Sequence, residues 1–133
     1  MDNILVINNL KYKVLDSEIK FVNAKYNSKK GYSLLVCIHI MLDDIKGYIN
    51  FYVDFFEEKN FKLIENKIYK ELPTDFHSKI SMIEIFDTKK YYDYIDSIVT
   101  LNFGEIYDKN VLIDLIIDDE NFKLKYKGNL TII

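Results

Sequence analysis

The sequence predicts an all-β or β-dominant chain, an antiparallel β-sandwich or barrel with one helix over about residues 57–72. Three observations carry that expectation. Short runs alternate apolar and polar residues along most of the chain. Ile, Tyr and Phe number 20, 11 and 9 among 133 residues, and branched and aromatic side chains suit pleated faces. Polar punctuation separates the runs at the interval expected of strand turns. With 49% hydrophobic residues the chain is expected to bury one core and form a single domain, 1–133. Only four Gly and one Pro are present, so the turns must rely on Asn, Asp and Lys.

The elements follow in order. Leu10, Tyr12 and Val14 alternate with Lys11 and Lys13 as a half-buried strand, and Ile19 and Phe21 continue the style towards Tyr26. Asn27 to Gly31 reads as a turn. Leu34 to Leu42 is apolar on both faces, as in a central strand covered on each side, and Asp43-Asp44 close it. Ile49, Phe51, Val53 and Phe55 then share one face of a strand. Phe61, Ile64, Ile68 and Leu72 recur at helical spacing, with acids early and Pro73 after the last turn. That spacing predicts the helix, with a twisted strand pair as the competing reading. Strand patterning resumes at Ile80, Met82 and Phe86, and again at Val99, Leu101 and Phe103. Val111 to Ile117 carries Asp114 and Asp118 on its second face. Phe122, Leu124 and Tyr126 alternate with Lys123, Lys125 and Lys127, and Gly128-Asn129 are expected to turn into a last strand. Eight to ten strands result.

Composition narrows the function classes. The formal charge is −3, every basic residue is Lys, and there is no Arg or Trp. Arg is the side chain that clamps phosphate with paired hydrogen bonds and reads guanine edges, so nucleic-acid binding is not expected. The start lacks the positive charge of a secretion signal, and no apolar run approaches the roughly twenty residues of a membrane helix. Cys37 is alone, so no intramolecular disulfide or thiolate cage is possible, which agrees with a cytoplasmic setting.

No catalytic, cofactor or metal site is expected. His39 reads as a hydrogen-bonded core imidazole and His77 as a solvated loop residue. Cys37 and His39, two apart on one strand, point the same way, but no orienting carboxylate stands at a readable position. The four glycines are scattered singly, and Asp114 to Glu120 lacks the glycine and spacing of a calcium loop. Charge is polarised instead. Residues 91–122 hold eight acids and one lysine, whereas 11–30 hold six lysines and two acids. Asp114, Asp118, Asp119 and Glu120, with the stretch Tyr91, Tyr92, Asp93 and Tyr94, are therefore the expected partner-binding residues. Clustered acids speed encounter with a basic partner, and Tyr supplies rigid contact area. An ordinary solvated edge whose acids meet lysines in the fold is the competing reading.

This small, acidic, Ile/Lys/Asn/Tyr-rich β chain without a catalytic set resembles the immunity proteins of bacterial toxin–immunity systems, including contact-dependent growth inhibition. The resemblance spans the chain in style and rests on no motif. It implies a cytoplasmic, non-catalytic inhibitor that covers the active site of a cognate, basic protein toxin. The alternative is a small β-barrel carrier of an apolar molecule.

Overall fold

The computed structural model describes residues 3–72, 79–87, 91–92, 97–118 and 122–133. They form one antiparallel sheet of ten strands and essentially no helix. The strands are β1 (Ile4–Ile7), β2 (Leu10–Tyr26), β3 (Lys29–Leu42), β4 (Ile45–Phe56), β5 (Ile68–Glu71), β6 (Ile80–Asp87), β7 (Tyr91–Tyr92), β8 (Val99–Tyr107), β9 (Asn110–Asp118) and β10 (Lys123–Ile132). Their order across the sheet is β5-β8-β9-β10-β1-β2-β3-β4-β6-β7. Where short β1 ends, β10 pairs directly with β2 in parallel, Thr131 against Glu18 and Ile132 against Ile19.

The turns solve the shortage of glycine as expected. Asn8-Asn9, Asn27-Ser28 and Asp108-Lys109 each hold two successive residues at positive φ, the geometry of the tight hairpin turn whose twist matches paired strands. Asn and Asp tolerate that region because their short polar side chains bond locally. The turn after β2 is thus confined to Asn27-Ser28, and Lys29 to Gly31 already belong to β3. Gly128-Asn129 do not turn either, since β10 runs through them while pairing with Ile113 and Leu112.

The expected helix over 57–72 is not formed. Asn60 caps a four-residue 3-10 turn, Phe61–Ile64, by accepting from the Lys62 N–H at 3.0 Å. Asn66 then adopts φ 57°, which stops helical winding, and the chain enters β5. Ile64 and Tyr69 are buried while Ile68 and Leu72 are exposed, so the apolar spacing belonged to two short pieces rather than one helical face. Pro73, the expected stop, lies outside the described residues, as does His77.

One core serves the whole sheet. Leu34, Val36, Ile38 and Ile40 of β3, Ile49, Phe51 and Val53 of β4, and Val99, Leu101 and Phe103 of β8 join Tyr126 of β10 in a single cluster. The opposite face carries no second layer among the described residues. On β3 the outward Cys37 is half-buried and His39 exposed, which corrects the expectation of a strand covered on both sides. Side chains bring the edge strand β5 against β4 and the start of β6. Asp54 of β4, at φ 59°, accepts from Tyr69 Oη of β5 at 2.9 Å and lies 3.6 Å from Lys67 Nζ. Its main-chain N–H donates to the Lys79 carbonyl just before β6, and the Lys79 N–H donates to the Glu71 carboxylate of β5.

Candidate functional site

The outer face of β8, β9 and β10 is where sequence reasoning placed the acids. Period-two alternation turns Val111, Ile113, Leu115 and Ile117 inwards and Asp114 and Asp118 outwards. On β10 the same rule sends Lys123, Lys125 and Lys127 outwards. Register then sets Asp118 opposite Lys123 and Asp114 opposite Lys127. Lys123 Nζ lies 3.7 Å from Asp118 Oδ1, both side chains being well exposed, so Asp118 already has a cation beside it. Glu105 and Asp108 sit towards the other end of the β8–β9 hairpin. Among the described residues the acids therefore alternate with lysines across the strands.

Asp114 differs from Asp118. It is half-buried, and its Oδ1 is enclosed with no hydrogen-bond partner. Its cross-strand neighbour on β8 is Asn102, whose Oδ1 is enclosed and unpartnered as well. Side chains directly opposite on an antiparallel pair stand about 5 Å apart at Cβ, so these two side chains are neighbours on the outer face. Asn102 carried no signal in the sequence, because only the register of β8 on β9 reveals the pair.

Tyr91 and Tyr92 form β7, paired with Phe86 and Ile85. Six strands separate β7 from β9 along the sheet. Asp93, Tyr94, Asp119 and Glu120 lie outside the described residues.

A second constellation occupies the outer face of β2 and β3. A bulge at Leu15 shifts the register so that Asp16 faces His39, with Glu18 facing Cys37. His39 Nδ1 lies 2.5 Å from Asp16 Oδ1. Because an ionised carboxylate only accepts, Nδ1 is the donor. Nε2 then lies 3.8 Å from Cys37 Sγ. The orienting carboxylate that the sequence could not reveal is thus present, and His39 is an exposed surface imidazole rather than a core one. The set is nonetheless poorly disposed for nucleophilic attack. Burial, then the charges of Glu18 and Asp16, push the Cys37 thiol above its ordinary pKa, so the reactive thiolate is disfavoured. Strand β3 is also paired along both edges, so its main-chain donors near Cys37 are engaged in ladders.

Among the described residues no three His, Cys, Asp or Glu side chains gather so as to hold a metal ion. No described helix is long and apolar enough to cross a membrane. What the fold and this surface define is the class: an all-β protein with a charge-striped outer face. No protein-family model, curated protein or solved structure matches the chain.

Proposed function

We propose that this protein is a non-catalytic inhibitor of the immunity-protein kind, which covers a charged surface of a cognate toxin with the charge-striped outer face of β8, β9 and β10. The observation that supports this reading is Asp114, a half-buried acid on the outer face of β9 with an oxygen that has no hydrogen-bond partner among the described residues. A lysine or arginine of a partner, brought against the half-buried Asp114 carboxylate, would give that acid a charge-assisted hydrogen bond. Specificity would follow from the same geometry, since a partner lacking the cation leaves the acid unmatched. The flanking Lys123, Lys125 and Lys127 would favour a partner whose own charges alternate. Strands give such a surface little backbone freedom to lose on docking, because the sheet already fixes its main chain.

The carrier reading draws no comparable support, because the inward side chains of the sheet pack against one another as one continuous cluster. The test takes as partner any toxin domain found encoded next to this chain. Association should slow as salt rises, and Asp114→Asn should weaken binding about tenfold or more by removing a charge-assisted contact. Asn102→Ala should weaken it less. An association rate indifferent to ionic strength, together with full protection by Asp114→Asn, would overturn the proposal.

A further inference from the structure

At the far end of the β2–β3 hairpin the sheet outruns its core and leaves a hollow of about 600 Å³, lined by Asn23, Ala24, Lys25, Lys30, Gly31, Tyr32 and Glu57. The register there pairs Asn23 with Tyr32 and Lys25 with Lys30. Residues two apart on a strand share a face, so these four side chains line one side of the hairpin. Lys25 and Lys30 are directly opposed like charges, an arrangement that destabilises a strand pair unless something neutralises it.

The neighbouring charged groups do not neutralise it. Glu57, the one acid on the wall, is paired with Lys29. Lys59 stands over the Tyr32 ring at 5.1 Å. Among the described residues no acid pairs with Lys25 or Lys30. Two cations with Cβ atoms about 5 Å apart can converge on one tetrahedral oxyanion, each giving it a charge-assisted hydrogen bond. A hollow of this volume falls in the range of small-molecule sites, so a phosphate leaves room for an organic portion beside Tyr32.

We propose that this hollow binds a phosphate monoester, with Lys25 and Lys30 straddling the phosphate group. The site is separate from Asp114, and its test does not depend on a toxin. Labelled protein is titrated at constant ionic strength with inorganic phosphate, phenyl phosphate and succinate while amide NMR shifts are followed. Saturable shifts at Ala24, Gly31 and Tyr32 are expected, with phenyl phosphate tighter than inorganic phosphate and succinate weakest. Equal binding of phosphate and phenyl phosphate would assign the site to the free ion and overturn the ester. Lys25→Ala and Lys30→Ala should each weaken binding about tenfold, whereas Lys70→Ala, on β5, should leave it unchanged. Phosphate should also raise the Tm of the parent chain and not of Lys25→Ala. Shifts that grow linearly without saturation, or that survive both alanine variants, would show nonspecific screening and overturn the site.

Discussion

Loss of the Tyr69 hydroxyl should loosen the join between the edge strand β5 and β4. Asp54 is nearly buried, with 12% of its side chain exposed. Its Oδ1 accepts from the Phe55 N–H at 2.8 Å, and its Oδ2 accepts from Tyr69 Oη at 2.9 Å, with Lys67 Nζ at 3.6 Å. Tyr69→Phe keeps the ring, and with it the edge contact to Phe103 and the Lys67 ammonium over its face. Only the charge-assisted hydrogen bond is removed, worth about 1.5–3 kcal/mol. Asp54→Ala removes the acceptor for both donors and also places a residue with no local hydrogen bond at φ 59°. We expect it to cost about 3–5 kcal/mol in total. Asp54→Gly loses the same contacts but relaxes the backbone, and should be about 1 kcal/mol less damaging than alanine. Urea unfolding with an unchanged m-value measures all three. A loss below about 0.5 kcal/mol for Tyr69→Phe would refute the hydrogen-bond estimate. Equal losses for alanine and glycine would refute the assignment of backbone strain.

Three further outcomes are expected. Burial raises the phenol pKa values of Tyr69 and Tyr126 in the fold, and the Asp54 charge adds to the first. Both phenols therefore stay protonated after unfolded tyrosine ionises, so their contribution is complete below about pH 10 and is lost as pH rises above it. Chemical denaturation between pH 9 and pH 11, taken as approximate bounds, should show a fall that is shallower by about one proton for either Phe variant. A methyl group on Gly31 would run into the Phe55 ring and meet the Phe56 carbonyl oxygen at 2.5 Å. Gly31→Ala should thus cost about 1–3 kcal/mol by thermal unfolding, and an unchanged Tm would contradict that packing. Finally, the raised thiol pKa makes Cys37 slower to alkylate near neutral pH than free cysteine. Glu18→Gln should speed the reaction, and a parent rate above that of the free amino acid would refute the environment described for the thiol.

The legibility of the sequence tracked how far apart the deciding residues lie. Strands β8, β9 and β10 could be read directly, because Val99-Leu101-Phe103, Val111 to Ile117 and Phe122-Leu124-Tyr126 alternate within single short runs. Residues 57–72 misled because helical spacing arose across a reversal at Asn66, which a periodicity cannot register. Asp114 was picked out as outward-facing and is so, but its unpartnered neighbour Asn102 emerges only from cross-strand register. The Asp16–His39 contact is hidden more deeply still. The two lie 23 residues apart, and a single bulged residue decides whether Asp16 or Leu15 stands opposite the imidazole. Charge blocks along the sequence are likewise a poor guide to charge in space, since strand pairing set Lys123 against Asp118.

The interior position of β1 has a consequence for the order of assembly. Asn3 accepts a hydrogen bond from Asn129, 126 residues away, and β1 fills a slot between β10 and β2. Hairpins such as β2–β3, β3–β4 and β8–β9 need only neighbouring sequence, whereas this central seam needs both extremes of the chain at once. Contacts of such long range pay their loop-closure entropy before any gain, so the two flanking meanders are expected to form early and the seam to be stitched late. Until then each half shows an open strand edge at the place the other will occupy. The middle of this sheet, and not its rim, is where premature pairing with a neighbouring molecule has its opportunity.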